Sequence, residues 1–190
     1  IIRHVKEENL PFFYQELAKL DFVATGYDSI ADITACPGTD TCNLGIASST
    51  GIAAELERVL ETEYPQYANN KEIAIKISGC MNACGQHNMA EIGFQGMSIN
   101  SGKLVAPALQ VLLGGGNLGN GQGRFSDKVI KIPSRRGPEA LRLILNDFSA
   151  NANGQSFLNY YDSKGEKYFY EFLKPLADVT NLTEADFIDW

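Results

Sequence analysis

The sequence predicts an α+β fold, an α/β-like mixed sheet flanked by helices. Three observations predict it. Ile73, Ile75 and Ile77 alternate with Glu72, Ala74 and Lys76, the two-residue period of a strand. Ile52, Leu56, Val59 and Leu60 recur at helical spacing. Segments of these two kinds then alternate along the chain, so neither type forms a core alone.

The elements follow in order. Pro11 suits an early helical position, and Phe13, Leu17 and Leu20 continue one apolar face. A loop at Gly26 leads to a short extended piece, Asp32 to Ala35. A strong helix is expected over roughly 46–63, with Ser48, Ser49 and Thr50 as candidate caps. Pro65 and Asn69-Asn70 end it, and the strand from Lys71 to Ser78 runs into Gly79-Cys80. Glu91 to Ile99 and Lys103 to Leu113 predict a hairpin around Asn100-Ser101-Gly102. The glycine-rich stretch 114–123 reads as a flexible loop, and Lys128 to Ile132 as a short strand. Pro138 opens a helix with Leu141, Ile144, Leu145 and Phe148 inward. A last helix is expected over 164–177, facing inward through Phe169, Phe172, Leu173 and Leu176.

Composition excludes some functions. The 190 residues carry 23 acids against 16 bases, a net charge of −7. Nucleic acid is disfavoured as a partner, because neutralising phosphates needs a basic face. The apolar runs are too short to span a bilayer, so no membrane partner is expected. The chain opens Ile1-Ile2-Arg3-His4 without a signal peptide, and a cytoplasmic location is expected. Lacking an initiator Met, it is expected to be part of a longer polypeptide.

The four cysteines fall into two pairs, Cys36-Pro-Gly-Thr-Asp-Thr-Cys42 and Cys80-Met-Asn-Ala-Cys84. Both pairs are expected in loops that end or follow regular elements. Disulfides are disfavoured without a secretory signal. Structural zinc suits four thiolates, although neither pair has the tight two-residue knuckle common in such sites. Buried free thiols are the plainest alternative. An iron–sulfur cubane accepts wider, unequal spacings and needs backbone close to the sulfurs. Gly38, Gly45, Gly79, Ala83 and Gly85 flank the four positions. Backbone N–H groups of the helix starting near Ile46 are expected to help offset the cluster's charge.

The stretch from Ala35 to Cys42, together with Ser78-Gly79-Cys80-Met81-Asn82-Ala83-Cys84-Gly85-Gln86, resembles the cluster motif of the nitrite and sulfite reductase family. That motif is Cys-x5-Cys, then Cys-x3-Cys after some tens of residues, and here positions 43–79 form the gap. The resemblance implies a nitrite/sulfite reductase 4Fe-4S domain-like fold over residues 26–190. Residues 1–25 would be the C-terminal tail of a ferredoxin-like domain.

The resemblance also implies two cofactors, a [4Fe–4S] cluster and sirohaem. Cys36, Cys42, Cys80 and Cys84 would be metal ligands, with Cys84 bridging to the sirohaem iron and so acting in catalysis. Asn82, Gly85 and Gln86 would lie against the sirohaem. Gln86 resembles the nitrite-reducing members, many sulfite-reducing ones having Arg there. Met81 departs from the proline that often follows the third cysteine. The implied reaction is the six-electron reduction of nitrite to ammonia, or of sulfite to sulfide. The implied partners are the missing N-terminal half of the polypeptide and an electron donor such as ferredoxin or a flavoprotein. Without that half, the fragment is expected to be inactive and to hold its cofactors poorly. Two alternatives are a stand-alone [4Fe–4S] electron-transfer protein and a zinc-stabilised binding module.

Arg124, Lys131, Arg135 and Arg136 are candidate cations for the sirohaem carboxylates, Arg124 being the one selected. His87, three residues past Cys84, is a candidate proton relay or an ordinary loop histidine. The glycine-rich stretch fits neither dinucleotide nor Walker patterns.

Overall fold

The computed structural model describes residues 2–24, 26–67 and 69–190. Ile1 and Thr25, the ends of the expected tail segment, and Ala68, in the loop after the second helix, lie outside the described residues.

Five strands form the main sheet: β1 (Thr34–Ala35), β2 (Ile75–Ser78), β3 (Ile92–Ser101), β4 (Leu104–Leu113) and β7 (Asp127–Pro133). Their spatial order is β1-β2-β3-β4-β7. β1, β2 and β3 run parallel, whereas β3-β4 and β4-β7 are antiparallel. The sheet is therefore mixed, as expected. A two-residue turn with Gly102 at φ +62° joins β3 to β4. Pro107 sits within β4, where its missing N–H costs no ladder bond to β7, because that pairing begins at Ala108.

Helix α2 (Ser49–Glu63) is the crossover between β1 and β2. The Ser48 side chain caps it by accepting from the Gly51 N–H at 3.1 Å. Its Ile52, Leu56, Val59 and Leu60 are buried with Leu141, Ile144 and Leu145 of α3 (Gly137–Asn151). These pack on Ile75, Ile77, Phe94, Val111, Ile130 and Ile132 of the sheet. Each fully buried Leu or Ile contributes roughly 1.5–3 kcal/mol by leaving water. The connection from β2 to β3, residues 79–91, is near the shortest that lets parallel strands pair, and it carries Cys80 and Cys84.

Four expectations are corrected. The strand expected from Lys71 begins only at Ile75. Asn70 Oδ1 takes the Glu72 and Ile73 N–H groups, and Glu91 Oε2 takes that of Ala74, so side chains replace the ladder. The glycine-rich stretch is not a plain loop: β5 (Gly116–Gly119) and β6 (Gln122–Arg124) pair antiparallel around Asn120-Gly121. The helix expected over 164–177 is α5 (Glu166–Leu173) continued by a short 3-10 turn. Before it lies α4 (Phe157–Lys164), capped by Ser156 and separated by Gly165 at φ +79°. Finally, α1 (Leu10–Ala18) forms, with Phe13 and Leu17 of the expected face half-buried, but it ends before Leu20, which is exposed.

No described helix is long and apolar enough to cross a membrane.

Candidate metal centre

The two cysteine pairs meet because β1 and β2 are parallel neighbours. Ala35 pairs with Ile77, so the residues after each strand leave the same sheet edge side by side. The Cys36 N–H still donates to the Ile77 carbonyl at 3.2 Å. Ligand sites in such sheets form where parallel strands end. Cys36, Cys42, Cys80 and Cys84 line one cavity of about 90 Å³, along with Pro37, Gly38, Leu44, Gly45, Ser78, Gly79 and Asn82. No lining residue is charged.

Close backbone packing makes this cavity. A Cβ on Gly79 would lie 2.7 Å from the Gly38 Cα, so the loops after β1 and β2 touch through two glycines. Gly38 has φ +52°, and a side chain there would overlap the Ser49 hydroxyl. A Cβ on Gly85 would overlap the Ile77 carbonyl oxygen.

Donors converge on Cys36. The Gly79 N–H donates to its Sγ at 3.2 Å. The Ser49 hydroxyl lies 3.5 Å from that Sγ and donates to the Cys36 carbonyl at 2.6 Å. Burial acts to raise the Cys36 pKa, but donation from Gly79, Ser49 and the Gly38 backbone outweighs it and holds the thiol below its ordinary value. The helix contributes differently from expectation. α2 begins at Ser49, and the N–H groups of Ile46 and Ala47 go to the Gly79 carbonyl at 2.8 and 3.2 Å. The Gly79 amide, not the Ile46 turn, donates to the sulfur, and the Ser49 hydroxyl to the carbonyl of the same residue.

The other cysteines differ in exposure. Cys80 is buried, Cys42 half-buried and Cys84 exposed. All four are free thiols. Ala83 and Gln86 take left-handed backbone, φ +59° each, which turns the Cys84 loop tightly.

This donor set fits a polynuclear cluster. Four thiols stand on the walls of a shared, uncharged cavity, and the Gly79 N–H donates to the sulfur of one of them.

The remaining candidates separate. Asn82 lines the cavity. Gln86 is exposed and accepts from Lys76 Nζ at 2.9 Å, which ties an ammonium to the Cys84 loop. Lys76 in turn lines two adjoining clefts of about 330 and 610 Å³. Sequence reasoning placed Lys76 only on the back of a strand. Arg124 is not part of the cysteine cavity. Its Nη1 and Nη2 grip Asp162 at 3.0 and 2.8 Å, its Nε donates to the Gly114 carbonyl, and it lies 5.8 Å from the Tyr161 ring centroid. Lys131 donates to the Ser98 carbonyl. Arg135 and Arg136 hold the C-terminal tail through the carbonyls of Ile188, Asp189, Leu176 and Asp178. His87 is buried, with Nδ1 lacking a partner, and burial lowers its pKa while Gln95 opposes.

The chain is of the class in which a mixed sheet ends its parallel strands in a four-thiol cavity. The family model for the nitrite and sulphite reductase 4Fe-4S domain matches residues 26–166, and the chain belongs to that family. It is 27% identical over 143 residues to the assimilatory ferredoxin-dependent nitrite reductase of Haloferax mediterranei, a match covering 75% of this chain and 24% of that protein. It is 36% identical over 115 residues to a putative sulfite reductase [NADPH] hemoprotein beta-component of Buchnera aphidicola, covering 60% of this chain and 18% of that one. The chain thus spans about a quarter or less of these relatives. Among solved structures, the Mycobacterium tuberculosis NirA protein matches with a TM-score of 0.67 at 23% identity, covering 87% of this chain and 31% of that one. Dissimilatory sulfite reductase I matches with a TM-score of 0.65 at 9% identity, covering 95% and 61%. These likenesses show the fold.

Proposed function

We propose that residues 26–190 are the cluster- and sirohaem-binding domain of a reductase that takes nitrite to ammonia or sulfite to sulfide in six electrons. Residues 1–25 are then the tail of a preceding ferredoxin-like domain, and the rest of the polypeptide completes the enzyme. The observation that carries the reading is that all four cysteines of the chain line one cavity, with Cys84 at its exposed side.

When bound, the cluster and sirohaem supply single electrons to the substrate anion. Cys36, Cys42 and Cys80 would hold the cluster, and Cys84 would serve both cofactors. The Gly79 N–H offsets thiolate charge at Cys36, and the Ser49 hydroxyl holds the Cys36 carbonyl beside it. Gly85 lets the Cys84 loop press onto β2, and Asn82 and Gln86 would border the sirohaem. Lys76, fixed by Gln86, brings a positive charge and a proton to this side of the domain. For Arg124 to bind a sirohaem carboxylate it would have to exchange Asp162 for it. Two relatives are named as ferredoxin-dependent nitrite reductases and five as ferredoxin sulfite reductases, which favours ferredoxin as donor and nitrite or sulfite as substrate.

The test is methyl-viologen-driven reduction by the full-length polypeptide loaded with both cofactors. Consumption of nitrite or sulfite, abolished by Cys84→Ser, is expected. Loaded protein that leaves both anions untouched contradicts the reading.

A further inference from the structure

The last residues of the chain are tied to the metal centre. Asp189 Oδ2 accepts the Ser48 N–H at 2.6 Å. Ser48 caps α2 through its side chain, so its amide is free to be held by the tail. The next residue, Ser49, carries the hydroxyl that reaches the Cys36 carbonyl and sulfur. The preceding amides, Ile46 and Ala47, bind the Gly79 carbonyl, and the Gly79 N–H binds Cys36 Sγ. Segment 46–49 is thus a strap pinned to Gly79 at one end, to Cys36 at the other, and to Asp189 between them.

The tail itself is held firmly. Arg135 donates to the Ile188 and Asp189 carbonyls and stacks 4.3 Å from the Trp190 ring centroid. Trp190 Nε1 donates to the Ser134 carbonyl at 3.2 Å. A Cβ on Gly51 would lie 2.6 Å from that of Trp190, so the tail packs directly on the first turn of α2. Asp189 Oδ1 also faces the Ser134 hydroxyl at 3.4 Å.

We infer that Asp189 is a positioning residue for the Cys36 side of the metal centre. It fixes the Ser48 amide, and with it the Ser49 hydroxyl that holds the Cys36 carbonyl, and so keeps the Gly79 amide aimed at the Cys36 sulfur. The inference rests on reading Cys36 as a cluster ligand. Donors to a ligand sulfur stabilise the more negative, reduced cluster, so a slack strap lowers the cluster's potential.

Two measurements test it. The first needs no cluster: amide hydrogen exchange of the metal-free chain, wild type against Asp189→Ala and Asp189→Asn. Asp189→Ala should accelerate exchange at Ser48 and Gly79 together and leave sheet amides such as Val111 unchanged. Asp189→Asn, which keeps an acceptor oxygen, should restore both. Acceleration at Ser48 alone, or across the whole sheet, overturns the inference. The second is the midpoint potential of the reconstituted cluster. Ser49→Ala and Asp189→Ala should each shift it negative, and the double variant no further than the larger single shift. An Asp189→Ala potential equal to wild type overturns the inference while leaving the cluster reading intact. Wild-type full-length polypeptide that takes up no iron overturns both.

Discussion

The Gly85 amide donates to the Ser78 hydroxyl at 3.0 Å, which folds the Cys84 loop back onto the strand that delivers Cys80. Both residues are buried, and Gly85 leaves no room for a side chain beside the Ile77 carbonyl. The loop that presents the exposed cysteine is therefore set by contact with β2, not by the cysteines themselves.

Gly85→Ala should then cost about 1–3 kcal/mol of stability through overpacking. The loss is read as a lower urea midpoint at unchanged slope. A midpoint equal to wild type would show that the loop can lift off β2 freely.

Glu91 gives a pH signature. Its carboxyl is buried under the β5–β6 hairpin, beside Gly116, and accepts the Ala74 N–H at 2.9 Å. Burial raises its pKa above the ordinary value, while the donated N–H groups and Lys76 oppose. A carboxyl whose folded pKa is raised stabilises the protein below its unfolded pKa, and that stability is lost as pH rises through the folded pKa. Glu91→Gln should flatten this fall. His87 works in the opposite sense: its folded pKa is lowered by burial, so stability is present above the unfolded pKa and lost as pH falls through the folded one. Urea unfolding across pH 4 to 8 checks both. A Glu91→Gln profile parallel to wild type throughout would show that Glu91 does not titrate with folding.

Asp147 is the polar hub of the helical layer. Its carboxylate is buried and accepts from the hydroxyls of Tyr160 at 2.6 Å and Tyr168 at 2.8 Å, and from Asn151 at 2.9 Å. Both tyrosine pKa values are raised, by desolvation first and then by this carboxylate. Asp147→Ala should cost on the order of 3 kcal/mol, because it strands the buried Tyr160 hydroxyl without its acceptor. Asp147→Asn should recover part of that. Equal stability of Asp147→Ala and wild type in urea would contradict the hub.

The sequence carried much of this architecture. Ile73, Ile75 and Ile77 and the α2 stripe announced a buried strand and the helix covering it, because period and burial are the same physical fact. The cysteine spacing announced the cavity. What stayed hidden depended on partners distant in sequence. Nothing near Arg124 names Asp162, and nothing near Ser48 names Asp189. Asn120-Gly121 carried a hairpin signal, but the surrounding glycines obscured it, since glycine fits a strand or a loop equally. Gly165 likewise hid a helix boundary inside a continuous apolar pattern, and so α4 went unread. Lys76 looked like the solvent side of a strand and gains meaning only through Gln86.

The central claim is that Cys36, Cys42, Cys80 and Cys84 together hold one iron–sulfur cluster. The most direct measurement is iron, acid-labile sulfide and zinc content of the full-length polypeptide after anaerobic reconstitution, on wild type and on the four single Cys→Ser variants. About four irons and four sulfides per chain are expected for wild type, with loss in each variant. One zinc and no iron, or full iron retained by all four variants, would contradict it.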